Sequence, residues 1–245
     1  MRYLVLLLLA AACSPIYIPN TRNAPLFREQ GEAQISGYLT TGGVDGQVAY
    51  AFTDHLAAIG SYSFGSTKRT TPISPTNTVS TEYSRKNSYG EIGLGYYNRS
   101  RSARYEIFAG YGIGQGTSYD QYSFFVPIFG PQKSVISTGK MQRIFFQPTI
   151  GTNNRDVNIS FTPRLSLVSF SEFTSDTGVT VKTNEKAQFF IEPTATLKFR
   201  LTGNLHCLVQ LGLAVPMGDP YFAYQPLQGA VGLQIDTGGM RTKVY

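Results

Sequence analysis

Residues able to carry acid–base or metal chemistry are scarce in this chain. Its 245 residues include 2 histidines, His55 and His206, and 2 cysteines, Cys13 and Cys207. A hydrolytic centre needs a general base within hydrogen-bond reach of an acid or nucleophile. A zinc site needs several His, Cys or carboxylate ligands brought together. Neither spacing occurs around the two histidines, so no catalytic residue, metal ligand or cofactor is assigned. Gly110, Gly112, Gly114 and Gly116 suggest a phosphate loop, but a dinucleotide fingerprint needs G-x-G-x-x-G between a strand and a helix. Here the spacing is strictly two and no helical pattern follows. The run therefore reads as a strand with one bare face. Gly93 and Gly95 share its parity on the preceding strand, so two neighbouring strands leave either a cavity or room for long side chains from the opposite wall.

Cys13 is placed for a covalent modification. It ends the apolar run Leu4–Ala12, which follows a single basic residue, Arg2, and is followed by Ser14 and Pro15. A charged start, a short apolar stretch and small residues at its end form a signal peptide, too short to span a bilayer as a helix. The cysteine directly after it resembles a bacterial lipoprotein signal, in which residues 1–12 are removed and Cys13 is fatty-acylated (palmitate or a similar chain). Ala10 departs from that pattern, where Leu is commonest. A secretory peptide cut nearby, with Cys13 incidental, is the plainer alternative.

Beyond the signal the composition is that of neither a soluble enzyme nor a helical membrane protein. Charged residues make up 15% and aromatics 13%, with 25 glycines, whereas soluble domains carry about a quarter charged residues. No later apolar run is long enough for a transmembrane helix. A net charge of +6 is modest and scattered, so no nucleic-acid face is expected. From Glu32 onward the pattern has period two. Val157, Ile159, Phe161, Pro163, Leu165 and Leu167 alternate with Asn158, Ser160, Thr162, Arg164 and Ser166, which gives a strand one apolar and one polar face.

Ten such segments are predicted near 32–40, 44–52, 55–64, 87–97, 104–118, 142–151, 156–170, 188–201, 205–215 and 227–236. Short turns (53–54, 98–103, 153–155, 202–204) alternate with longer loops (65–86, 119–141, 171–187, 216–226); the turn at 41–43 is the exception. That alternation predicts an all-β, antiparallel, up-and-down transmembrane β-barrel of about ten strands, with periplasmic turns and N- and C-termini and extracellular loops. Phe52, Tyr96, Tyr105 and Phe199 fall near the short turns, and Phe64, Tyr119 and Phe189 near the long loops, as two aromatic girdles would. Pro148, Pro163 and Pro193 predict interruptions in the ladder, because proline donates no hydrogen bond. Residues 13–31, with three prolines and no periodicity, read as a lipidated tether, and 32–245 as the barrel.

Asn23-Ala24-Pro25-Leu26-Phe27-Arg28-Glu29-Gln30-Gly31-Glu32, shortly after the lipobox-like Cys13, resembles an N-x-P-L-F-x-E-x-G-E element of outer-membrane β-barrel lipoproteins of Bacteroidota. Gly46-Gln47-Val48-Ala49-Tyr50-Ala51-Phe52-Thr53-Asp54-His55 is similar to their second strand and first turn. The resemblance covers the first quarter of the chain and implies a topology and a location but no catalytic residue. It also implies a leaflet: Ser14–Arg22 lacks the acidic residues of surface-exported lipoproteins, which favours an anchor on the periplasmic leaflet.

Parity points Arg143, Arg164, Lys198 and Arg200 into the lumen with Glu32, Asp45, Glu91, Glu106, Glu192 and Asp236. Buried charges are costly unless paired, so a lumen network of Glu91, Glu106, Arg143, Arg164, Glu192, Lys198 and Arg200 is expected to plug the barrel. Barrel proteases and lipid A-modifying enzymes need a histidine near the outer rim, whereas His55 and His206 fall at the opposite turns. In the loops, Phe124, Phe125, Phe129, Tyr221, Phe222 and Tyr224 are candidates for an exposed contact surface, since apolar patches often mark one; the alternative is that these loops pack over the barrel mouth. The expected function is non-enzymatic, membrane-structural or surface-contact, among outer-membrane lipids and with protein or ligand contact at the loops. The alternatives are a small passive channel and a periplasmic lipocalin-like binder. The last would turn Arg164, Lys198 and Arg200 outward.

Overall fold

The computed structural model describes residues 15–72, 80–121, 134–154, 156–175, 180–181, 187–220 and 222–237. In chain order the strands are β1 (Ala33–Thr40), β2 (Gly43–Ala51), β3 (Leu56–Pro72), β4 (Ser80–Arg99), β5 (Ala103–Gln121), β6 (Ser134–Thr152), β7 (Val157–Ser175), β8 (Thr180–Val181), β9 (Gln188–Thr202), β10 (Leu205–Leu213), β11 (Val215–Pro216) and β12 (Leu227–Thr237). β8 and β11 are two-residue pieces at the rim, against β7 and β9. The remaining strands form a closed antiparallel barrel of 10. Closure comes from β1 on β12 and β7 on β9, with Ile35 opposite Ile235 and Arg164 opposite Glu192. A closed ladder satisfies backbone groups without an edge, the condition for crossing a bilayer with strands.

The predicted parity holds around the wall. Leu39, Ile92 and Leu94 point outward at 72%, 73% and 67% exposure, while Gln47, Glu91, Glu106, Gln147 and Gln210 point inward and are buried. An apolar exterior around a polar interior is the arrangement of a membrane barrel and the inverse of a lipocalin. Phe52, Tyr96 and Tyr105 are exposed toward the short-turn end, and Phe64 and Phe189 toward the long-loop end.

β3 to β7 run well beyond the predicted segments. Thr67 pairs with Arg85 and Pro72 with Ser80, in a region read from sequence as loop. Above the apolar band the outer face no longer meets lipid and the inner face stays polar, with Arg85 and Ser118 buried, so the apolar–polar alternation lapses while the ladder continues. The wall is uneven, because β1 and β2 turn back at Thr41 and Gly42, close to the level of Phe64. Across β6, β7 and β9 the prolines lie in one row: Pro163 faces Pro193, and the β6–β7 register skips from Phe146–Leu165 to Ile150–Phe161. Side chains cover that gap, with Arg164 Nε donating to Gln147 Oε1 at 2.8 Å and the Thr149 and Thr162 hydroxyls 3.2 Å apart.

The described part of the segment ahead of β1, from Pro15, is not an external tether. From Ile16 to Phe27 almost every residue is buried, because the chain threads the lumen from the long-loop end to the short-turn end. Ile16 and Tyr17 donate their amides to Ala223 O in the β11–β12 loop (3.0 and 3.1 Å), and Gly31 N reaches Ala51 O beside the short β2–β3 turn (2.9 Å). The barrel's own ends, Ala33 and Thr237, do pair at the short-turn end; Pro15 lies at the other. Pro15, Pro19 and Pro25 hold the segment extended and keep it out of helix. An extended strand without a ladder leaves its amides and carbonyls to be satisfied otherwise. The inward face of the barrel does this.

Candidate functional site: the plugged lumen

A ring of inward glutamines reads the backbone of the threaded segment. Glutamine carries both a donor and an acceptor, which suits a peptide group in any orientation. Gln210 accepts from Arg22 N at 3.0 Å and donates to Arg22 O at 2.8 Å. Gln228 donates to Pro19 O (2.8 Å), Gln47 to Thr21 O (3.0 Å), Gln147 to Asn23 O (2.8 Å) and Gln34 to Pro25 O (3.0 Å). Carboxylates take the amides: Asp45 accepts from Thr21 N at 2.6 Å and Glu106 from Leu26 N at 2.8 Å. Arg104 closes the lower end on Leu26 O at 2.8 Å.

At mid-height lies a buried charge cluster. Glu91 pairs with Arg143 and, at 3.1 Å, with Arg164, and it accepts from Asn20 at 2.9 Å. Arg143 also reaches Asn20 Oδ1 (2.5 Å) and the Tyr17 hydroxyl (3.0 Å). Glu192 pairs with Arg22 at 3.2 Å and accepts from Tyr17 (2.5 Å) and Ser166 (2.7 Å). The guanidiniums stack on rings, Arg143 over Tyr89 and Arg164 over Phe145, each 4.4 Å from the centroid. Such faces add attraction without taking a hydrogen-bonding site.

Above the charges the mouth is closed by an apolar cluster of Ile16, Tyr17, Met141, Val168, Phe170, Phe190, Ala214 and Phe222. Below them Phe27 packs on Tyr97, centroids 5.3 Å apart. The bare glycine faces are filled as well. Phe145 lies over Gly93 and Gly110, Tyr89 over Gly112 and Gly114, and a Cβ on Gly116 would stand 2.9 Å from Ile16 O. They accommodate neighbouring aromatic rings and the threaded backbone; arginines from across the lumen do not fill them. A void beside Ala24, Pro25 and Arg104 measures about 10 Å³, scarcely room for one water.

The expected lumen network is thus split. Glu91, Arg143, Arg164 and Glu192 form one cluster, completed by Tyr17, Asn20 and Arg22 from the threaded segment. Glu106 is inward but serves Leu26 N. Lys198 pairs with Asp236 at 2.9 Å near the short-turn end, and Arg200 reaches Asp156 at 3.3 Å on the rim, partly exposed. Six and eight residues along β9 from Glu192 were enough to remove both from its tier. Phe222, expected in an exposed contact surface, is 5% exposed and packs edge-on to Phe170 with centroids 4.7 Å apart. Tyr224 is half-buried against Phe190 at 5.4 Å. The mouth, not solvent, takes Phe222 and Tyr224 because Tyr17 offers the first an apolar ring and the second a backbone bridge. Cys13, Phe124, Phe125, Phe129 and Tyr221 lie outside the described residues. His55 stacks on Tyr96 at 5.3 Å, and the buried His206 sits 3.6 Å from Asp236.

Fold and lumen together define the class: a ten-stranded barrel of outer-membrane type, plugged by its own N-terminal segment. Among solved structures, the chain is similar to the translocator domain of the autotransporter NalP from Neisseria meningitidis, at 12% identity and a TM-score of 0.47, covering 83% of this chain and 86% of that one. It is also similar to the KdgM porin, at 9% identity and a TM-score of 0.35, covering 84% and 99%. No family model and no curated protein matches.

Proposed function

We propose that the chain is a closed outer-membrane barrel lipoprotein, acylated at Cys13, that acts as a membrane-embedded structural or surface-contact protein and neither conducts solutes nor catalyses a reaction. The observation carrying this reading is the filled lumen: from Ile16 to Phe27 the threaded segment is buried, its backbone is held by inward side chains, and its one charge, Arg22, is paired. A passive channel would need the glycine side to stay open, and that side is occupied by Phe145, Tyr89 and Ile16. The short-turn end takes the periplasmic side and the long-loop end the outside, as loop lengths in such barrels dictate. The contact surface is reduced to the loop containing Phe124, Phe125 and Phe129, with Phe222 and Tyr224 given over to the mouth.

Reconstitution into planar bilayers tests the closed state. The intact protein gives no conductance steps across a voltage range in which a known porin opens; stable single-channel steps from it would overturn the reading. Acylation is read separately, from the mass of the N-terminal peptide.

A further inference from the structure

We propose that the chain ahead of Pro15 leaves the barrel at the long-loop mouth, so that an acyl chain on Cys13 enters the outer leaflet and the mature N-terminus is displayed at the cell surface. This rests on the acylation and orientation proposed above, and it reverses the periplasmic anchor expected from sequence.

The upper end of the threaded segment is docked, not loose. Ile16 and Tyr17 both donate to Ala223 O, and Gln225 N donates to Tyr17 O at 2.9 Å. The Tyr17 ring lies 5.0 Å from Phe190, and its hydroxyl is bound by Glu192. Cys13 precedes Pro15 by two residues, which span at most about 7 Å even when fully extended. The apolar band of such a barrel is about 25 Å tall. While Tyr17 is docked, Cys13 cannot reach the opposite leaflet. Nor can the chain double back down the lumen, which the buried segment from Ile16 to Phe27 and the inward side chains bonded to it already occupy.

The uneven wall supplies the acyl chain's route to lipid. Residues of β3 to β7 stand above the level of Phe64, but β1 and β2 turn at Thr41 and Gly42 close to it. Ile18 packs against that turn, where a Cβ on Gly42 would meet its side chain at 2.6 Å. The one short connection among the long loops is therefore a low sill between the mouth and the outer leaflet, beside the start of the threaded segment.

The test is an epitope inserted between Ser14 and Pro15 of the full chain. Reference epitopes go in the long loop at 73–79 and in the short turn at 98–103. Antibody labels intact cells and then permeabilised ones. The Ser14 epitope is expected to label equally before and after permeabilisation, as the loop epitope does. Labelling only after permeabilisation, like the turn epitope, would overturn the proposal. To exclude an epitope that dislodges the plug, Ile16→Cys and Gly116→Cys are introduced together with Cys207→Ser, and accessibility is read in the disulfide-linked band. Failure of that disulfide to form under oxidant also counts against threading. If loop and turn epitopes exchange behaviour, the proposed orientation fails, whereas a Ser14 epitope that still follows the loop upholds the threading. An unacylated N-terminal peptide removes the lipid and leaves the displayed terminus.

Discussion

Arg22 of the threaded segment and Glu192 of β9 pair at 3.2 Å with both side chains fully buried. The pair joins the plug to the wall at the height where the lumen carries most of its charge. Burying it is worthwhile only because Tyr17 and Ser166 complete the hydrogen bonding of the carboxylate, since desolvation of an incompletely bonded pair outweighs its attraction.

Arg22→Met should therefore loosen the plug more than the barrel. Breaking a buried pair from one side costs about 3–5 kcal/mol, here charged to docking of the segment. Hydrogen exchange of the amides of residues 16–27 should rise sharply, while the heat-dependent gel mobility of the barrel is retained. Unchanged exchange would mean that the glutamine ring alone holds the segment.

Glu91 is shared by Arg143, Arg164 and Asn20. Glu91→Ala strands two buried guanidiniums and should lower the unfolding midpoint in urea, at a cost of about 3–5 kcal/mol. Adding Arg143→Met should recover part of that loss, with a coupling of about 0.5–3 kcal/mol. Strict additivity of the two substitutions would show that the cluster is not a unit.

Removing residues 15–29 should open the lumen. The variant, still folded by heat-dependent mobility, is expected to show single-channel steps in planar bilayers where the full chain shows none. A folded but silent variant would place closure in the wall side chains and not in the threaded segment.

Ile92 stands midway along β4 between the two girdles and is 73% exposed on the outer face. Ile92→Arg should destabilise the protein by about 2–4 kcal/mol, against about 0–1 for Leu56→Arg near the short turns, as bilayer depth dictates. Equal effects at the two sites, measured by unfolding from liposomes, would argue against a membrane-facing surface.

The wall was legible because its information is local. Alternation in stretches such as 157–167 assigns each side chain to a face without knowledge of its neighbours, and Glu91, Arg143, Arg164 and Glu192 were correctly turned inward on that ground alone. Lys198 and Arg200 have the same parity, but parity is blind to height, and height separates the cluster from the rim. The upper halves of β3 and β4 were missed because polar strands above the membrane carry no hydrophobic period.

The threaded segment left one faint trace. Gln34, Gln47, Gln147, Gln210, Gln228 and Gln234 share the inward parity, and so many amides in a narrow lumen call for a backbone to bind. By itself the sequence determined which face of each strand meets lipid, since period two is a property of neighbouring residues. Only the tertiary structure decided what fills the interior. Tyr17, Asn20 and Arg22 have no periodicity to betray a role, and their partners on β4, β6, β9 and β10 come within reach only when the barrel closes around them.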